Sequence, residues 1–429
     1  MKIPRHKIYI PFLKLIKSLF LILIDFNNKP GNFNIKLLEK IKLFFNVKYS
    51  MTVSTWRIGF FFALRALELN KNDEILISAI SIPDQINCIE ILGLKPIFVD
   101  LDEETHGMCI KDLKKKISKK TKAIHITYLS GIIPDLDPII SLAKEHNLKI
   151  IEDISQAYGA TYNDKMVGTI GDVGIGSMSL GKTVASLYGG VIITNSDDLF
   201  SKINEFSKNE LKAPSKILLL RNAIFQIFVS ILTSKYIFSL LMFNIFKIIK
   251  LLSPSTLKDP ELKNKFFKLN SNENNFFDNP QILRKKFPQN IYFYLNNIQA
   301  ELAYATLCDL EKNIRVMRSQ VQKYLNELSP VVKKNIPKFA LNYNKNTYWH
   351  LPIKTEQMPL DLREYFFNNG IDSVGYGLPA CNIIFEKYKD VYLPNTIKVK
   401  NLTIFLPLNG KFSRDTIDYS IKILNQLSK

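Results

Sequence analysis

The sequence has no CxxC pair, and its four cysteines, Cys88, Cys109, Cys308 and Cys381, lie far apart in a chain of 429 residues. That spacing gives neither a zinc ribbon nor a disulfide framework, and reads as reduced thiols in the core of a cytosolic protein. Its five histidines, His6, His106, His125, His146 and His350, show no HxxxH spacing, so no catalytic metal is expected. An arginine stripe and a glycine-aromatic RNA signature are also missing, which argues against nucleic acid as the target of the formal charge of +19. Part of that excess accompanies a general richness in Lys, Asn and Ile, and the remainder suggests an anionic partner. Acidic residues are absent from 211 to 258. The same region has no clean run of the about 20 apolar residues that a spanning helix needs, because Lys235 divides its best stretch.

What is present is core-forming. A hydrophobic content of 46% in this length suffices for two or three domains. At the N-terminus, Met1 to Lys7 is basic and Leu19 to Ile24 apolar, as in a targeting segment. The apolar run is short, however, and no small-residue cleavage site follows. We read Phe12 to Asp25 as an amphipathic helix, with Lys14 and Lys17 placed to snorkel.

From about residue 50 a regular alternation begins. Helical patterns over 59–69, 85–92, 110–117 and 137–146 alternate with strand-like runs over 74–80, 96–100, 123–129 and 149–153. Short apolar strands separated by helices of about ten residues predict an α/β fold with a mostly parallel sheet covered on both faces. Ligands of such sheets sit beyond the carboxyl ends of the strands. Asp153 stands at one such end, followed by a glycine-punctuated loop with Ser177, Ser179 and a lone Lys182, then Gly189-Gly190 and a strand over 191–195.

Residues 176–183, GSMSLGKT, formally satisfy GxxxxGK[ST], the phosphate loop of nucleotide triphosphatases. That loop must open a long helix whose N-terminus holds the phosphates. Only five residues, Val184 to Tyr188, separate Thr183 from Gly189-Gly190, so the match is read as accidental. The same residues suit pyridoxal phosphate, which needs a lysine for a Schiff base, a carboxylate for the pyridinium nitrogen and donors for the phosphate.

The order of an acidic pair (Glu152-Asp153), then Gln156-Ala157, Gly171-Asp172, a serine five residues before a lysine (Ser177, Lys182) and Gly189-Gly190 resembles the DegT/DnrJ/EryC1/StrS family of sugar aminotransferases. Asp73-Glu74, the strand over 96–100, Thr121-Lys122-Ala123, Gly131, Asp135 and Asp137 keep the family's spacing upstream. The resemblance implies a fold-type I pyridoxal phosphate-dependent transferase, with a large mostly parallel sheet domain and a smaller C-terminal α+β domain. It implies catalytic roles for Lys182 and Asp153, with Gln156 against the ring and Ser177 on the phosphate. It also implies glutamate as amino donor and a homodimer, and the acceptor we expect is a keto-sugar attached to a nucleotide or to a membrane carrier.

Three places depart from the family. A Gly-Thr pair is replaced by Trp56-Arg57, and we expect Arg57 to grip the phosphate instead, as a guanidinium can bidentately. A ring-stacking aromatic is replaced by Ile82, and a glutamate before the glycine pair by Tyr188. These departures motivate a rival from another class, a catalytically decayed membrane-associated partner or scaffold.

Between 217 and 252 the chain is overwhelmingly apolar, with Asn222, Gln226, Ser230, Thr233, Asn244 and Lys247 close to one side of a helical wheel. We read one or two amphipathic helices lying on an anionic leaflet, the alternatives being a dimer-contact helix pair or a true span. Residues 264–290 read as a polar loop and 296–328 as a long helix; Tyr292 and Tyr294 stand where relatives reach the other subunit's cofactor. The expected division is an N-terminal amphipathic segment (1–34), the large domain (35–210), a hydrophobic basic insertion with a polar loop (211–290) and the small domain (291–429). Within the small domain, 348–353, 370–378 and 402–408 are expected to supply strands between helices, and His350 and Tyr376 are possible neighbours of the site. The location implied is cytoplasmic, at the inner face of the membrane.

Overall fold

In the computed structural model all residues are described except 25, 253–282, 343–344, 357–360 and 429. Two helices, α1 (Phe12–Ile24) and α2 (Asn32–Phe45), lead into a seven-stranded sheet. The chain then runs β1 (Tyr49–Val53), α3 (Trp56–Ala66), β2 (Glu74–Ser78), α4 (Pro83–Ile91), β3 (Lys95–Val99), α5 (Ile110–Lys116), β4 (Thr121–Thr127), α6 (Asp137–Glu145) and β5 (Lys149–Asp153). A small hairpin, β6 (Thr161–Tyr162) and β7 (Lys165–Met166), precedes β8 (Val173–Ser177), β9 (Gly190–Thr194), α7 (Asp197–Glu210) and α8 (Lys216–Leu232). Spatial order is β1-β9-β8-β5-β4-β2-β3. Strands β3, β2, β4, β5 and β8 are parallel, β9 alone runs against them, and β1, antiparallel to β9, has their direction again.

Alternation along each strand divides the core in two. Ile75, Ile77, Ile151 and Ile175 face the layer of α3 and α4, while Leu76, Ile124, Ile150 and Ile193 face the opposite layer. Each such fully buried side chain contributes about 1.5–3 kcal/mol, so both faces are held firmly. A second sheet of β10 (Leu351–Lys354) and β11 (Thr403–Leu406) sits with helices in the C-terminal part.

The α/β reading holds, and the expected helices and strands before residue 154 lie within a few residues of their observed limits. Several details differ. The helix expected over 296–328 is two, Asn297–Cys308 and Leu310–Glu327, broken at Asp309. Residues 370–378 form no strand, and their backbone groups bond instead to the N-terminal segment at Ile3 and to the Phe405 N–H of β11. Cys88 and Cys381 are buried as expected, but Cys308 is exposed. The polar loop expected over 264–290 lies mostly outside the described residues, as do positions 253–258 of the acid-free stretch.

Candidate active site

Parallel pairing puts the carboxyl ends of β5 and β8 on one edge of the sheet, with Asp153 opposite Ile175. Antiparallel pairing returns Gly190 to that edge beside Ser177, and Gly190 in turn pairs with Val53, which delivers the N-terminus of α3. A side chain at position 190 would strike the Thr55 carbonyl carbon and oxygen at 2.6 Å. Glycine is therefore required for β9 and the start of α3 to approach this closely. Thr55 caps α3 by accepting from the Ile58 N–H.

Neighbouring acids on β5 point to opposite faces, as the pleat demands. Glu152 turns away from the site and accepts four hydrogen bonds, from the Tyr128 hydroxyl and the N–H groups of Gly168, Ile170 and Gly171. Asp153 turns toward α3 and accepts from the Ser155 N–H at 2.9 Å. Burial pushes the Asp153 carboxyl pKa up, while the Ser155 donors, the Lys182 charge and the neighbouring Trp56 indole hold it down. Ser155 also ties the two strands, since its Oγ accepts from the Ser177 N–H at 2.9 Å.

Lys182 lies in a tight loop and opens no helix, so the formal phosphate-loop match has no phosphate-binding helix behind it. The loop is closed by Met178 N–H to Gly189 O and Ser186 N–H to Met178 O, both 2.8 Å. Thr306 and Gln299 on helix Asn297–Cys308 bond to Ala185 and Ser186, and Gln226 of α8 donates to the Ser186 carbonyl at 3.0 Å. The Lys182 amine sits 4.1 Å from the centre of the Trp349 ring. Burial lowers its pKa to about 8 from the ordinary 10.5, against the attraction of Asp153. The buried Trp56 Nε1–H lies near the Asp153 carboxylate but has no well-aligned acceptor among the described residues.

The expected residues are thus distributed unevenly. Asp153, Ser177 and Lys182 converge on one edge, with the Ser177 hydroxyl 2.9 Å from that of Ser179. Gln156 lines the adjoining cavity, but its amide oxygen already accepts from the Ser130 N–H at 2.7 Å. Arg57 is turned to the buried Asp84, with Nε 2.5 Å from the carboxylate. Ile82 precedes α4 as its cap residue. Tyr188 packs edge-on against Phe293, and Tyr292 is buried against Phe62 in the α3 layer. Sequence reading missed Ser155, Trp349 and His6, and treated Trp56 only as a loss. A serine two residues after the strand-end acid was the one legible signal, because such spacing favours a local turn.

This set fits pyridoxal phosphate on the structure's own terms: a half-buried amine, a carboxylate within its electrostatic reach, a serine hydroxyl, and a buried indole N–H near that carboxylate without a well-aligned acceptor among the described residues. A cavity of about 290 Å³ opens beside it, lined by Arg5, His6, Gln156, Trp349, His350 and Tyr376 among others.

Comparison with known proteins agrees with this chemistry. Residues 25–217 match the model of the DegT/DnrJ/EryC1/StrS aminotransferase family. The chain is 37% identical over 179 residues to GDP-perosamine synthase of Escherichia coli O157:H7, covering 42% of this chain and 49% of that protein. It is 33% identical over 167 residues to dTDP-3-amino-3,6-dideoxy-alpha-D-galactopyranose transaminase of Aneurinibacillus thermoaerophilus, covering 39% of this chain and 46% of that one. The chain thus spans about half the length of these curated relatives. In fold the likeness extends further. PseC of Helicobacter pylori, an aminotransferase involved in the biosynthesis of pseudoaminic acid, superposes with a TM-score of 0.72 at 17% identity, covering 100% of this chain and 99% of that one. Ntda of Bacillus subtilis, solved with bound cofactor PMP, gives 0.69 at 18% identity, covering 99% and 85%.

Proposed function

We propose, from the premise that residues 25–217 belong to the DegT/DnrJ/EryC1/StrS aminotransferase family, that the chain is a pyridoxal phosphate-dependent aminotransferase. It moves an amino group from glutamate to a keto-sugar carried on a nucleotide, in the making of amino sugars for surface polysaccharides. The observation that carries this reading is the half-buried Lys182 side chain, its amine over the Trp349 ring and its charge within reach of Asp153 on the same sheet edge. Curated relatives named as nucleotide-sugar aminating enzymes support the substrate class.

Pyridoxal phosphate, when bound, supplies an aldehyde and an electron-withdrawing ring through which an amino group can leave one carbon and join another. Lys182 would hold it through Nζ, Asp153 would hold the ring nitrogen, and Ser177 with the N-terminus of α3 would hold the phosphate. Gln156 would border the ring. Arg57 would reach the phosphate only by giving up part of its pairing with Asp84. With its pKa near 8, Nζ exchanges protons readily near neutral pH, which suits a base that takes and returns one proton per half-reaction. The Ser155 donors and the nearby lysine favour the charged form of Asp153 against the burial that raises its pKa, and an apolar layer packs on that face of the sheet.

The test is a half-reaction. Purified protein loaded with pyridoxal phosphate and given glutamate alone should convert about one equivalent of donor per site, then pass the nitrogen to a nucleotide-linked keto-sugar. Protein that takes up no cofactor would overturn the reading in favour of the decayed homologue.

We also place the chain at an anionic membrane surface, as a homodimer. Helices α1 and α8 pack together through Leu15, Ile22, Leu219 and Ala223. The wheel's polar side does not face outward as a whole, since Gln226 is buried against the lysine loop. Apolar residues are exposed instead, among them Leu13 (80%), Phe20, Ile224, Phe228, Leu240 (76%) and Leu251 (81%). Lys235 and Lys247 accompany them with no acid nearby in sequence, which fits anionic headgroups. Among the described residues no single helix is long and apolar enough to cross a membrane, although the bent pair Lys216–Leu232 and Lys235–Leu251 passes jointly at 65°. Because Gln226 braces the active-site loop, point changes test this better than deletion. Phe228→Asp with Leu240→Asp is expected to lower sedimentation with phosphatidylserine vesicles about tenfold while leaving Lys182 chemistry intact. Unchanged vesicle binding would sink the assignment, as would loss of dimer without loss of vesicle binding.

A further inference from the structure

Residues 3–10 form a segment wedged between the C-terminal part and the lysine loop. Ile3 pairs in parallel with Ile371, through Ile3 N–H to Gly370 O and Asp372 N–H to Ile3 O, both 2.9 Å. Arg5 forks onto the buried Asp372 carboxylate at 2.8 and 2.7 Å. Asn409 donates to the Lys7 carbonyl at 3.2 Å. These ties leave His6 no choice of direction. Its ring is buried edge-on against Trp349, with centroids 6.4 Å apart. The Trp349 indole N–H donates to the Gly181 carbonyl at 2.9 Å, and its ring face carries the Lys182 amine. His6 Nε2 points at the Gly181 backbone, 3.6 Å from where a Cβ on that residue would be, with no well-aligned hydrogen-bond partner among the described residues.

We propose that His6 is a positioning residue of the Lys182 site, delivered by the N-terminal segment to fix and seal the lysine side chain together with Trp349. This rests on the reading of Lys182 as the working amine. The groups facing Lys182 are Asp153 from β5, His6 from the N-terminal segment, and Trp349 with His350 from the approach to β10. Of these Asp153 is the one acid. Burial, with the nearby lysine charge, lowers the His6 pKa to about 4, and the same causes, joined by His6, hold His350 well below its ordinary value. A neutral His6 is thus one wall of the pocket that limits water's access to the amine. Removing it should admit water, relieve the burial of the ammonium form and raise the lysine's pKa.

The experiment reads Lys182 in full-length protein before any cofactor is added, so it is independent of turnover. The rate of trinitrobenzenesulfonate labelling, assigned to Lys182 by peptide mass spectrometry, is followed against pH. Wild type should show a midpoint near 8. His6→Ala should move it up by about one unit, dropping the reactive fraction at pH 8 from about one half to about one tenth. His6→Gln, which keeps bulk and neutrality, should stay near wild type. Arg5→Gln, which releases the segment, should follow the alanine variant, and serves if that variant fails to fold. An unmoved midpoint in His6→Ala and Arg5→Gln would overturn the proposal, as would a glutamine variant shifted as far as alanine. Failure of the aminotransferase reading would look different, as a wild type that titrates near pH 8 yet takes up no pyridoxal phosphate.

Discussion

Lys182→Ala should lose turnover by about 10⁴-fold or more, because one side chain would supply both the covalent hold and the proton transfer. Uptake of pyridoxal phosphate should survive more weakly, since Asp153, Ser177 and the N-terminus of α3 remain in place. Visible absorption tied to the lysine should vanish, while unfolding midpoints should hold or rise slightly, as a buried ammonium is removed. Lys182→Arg should be no better, because a guanidinium keeps charge but does not act as a reversible nucleophile near neutral pH. Added methylamine should recover a small part of the half-reaction in the alanine variant only. Retention of more than about one hundredth of wild-type turnover by Lys182→Ala would remove Lys182 from the mechanism and with it the central reading of the fold.

How much of this was legible follows from what each residue does locally. Strands β2 to β5 were readable because parallel strands buried on both faces are continuous apolar runs, as in Ile75-Leu76-Ile77. Strand β8 was not, since Val173-Gly174-Ile175-Gly176-Ser177 is glycine-rich and weakly strand-forming alone. Its glycines answer tertiary crowding, which sequence cannot show: a side chain at 176 would strike the Tyr158 hydroxyl at 2.2 Å. The candidate site was legible where it is local, since Asp153 and Ser177 end adjoining strands and Lys182 follows in the loop after the second. It was opaque where it depends on distant segments, since His6 and Trp349 are 343 positions apart yet meet at Gly181. Likewise, the wheel put Asn222 and Gln226 on one side of α8 but gave no sign that Gln226 would be buried against the lysine loop.

Glu152→Ala should cost about 3–5 kcal/mol of folding stability, the range for leaving a buried polar cluster unpaired. The neighbouring acids thus predict opposite phenotypes. Oε2 of Glu152 accepts from the Tyr128 hydroxyl at 2.5 Å and from the Gly168 N–H at 2.7 Å, and Oε1 from the Ile170 and Gly171 N–H groups at 2.8 and 2.7 Å. Alanine would leave all four donors buried without acceptors, and the turn over 168–171 would lose what holds it to β5. That turn leads directly into β8, so Ser177 and the lysine loop should loosen with it. Glu152→Gln should cost roughly half as much, because one oxygen survives while the new amide faces existing N–H donors. Asp153→Asn, one residue on, should change stability by less than about 1 kcal/mol yet lose most turnover, since its single backbone donor can still be met but the charge opposite the ring nitrogen is gone. Urea unfolding of the three variants beside half-reaction rates separates the two roles. If Glu152→Ala unfolded within 1 kcal/mol of wild type, the carboxylate would not be the brace of the turn, and the division of labour between the two faces of β5 would fall.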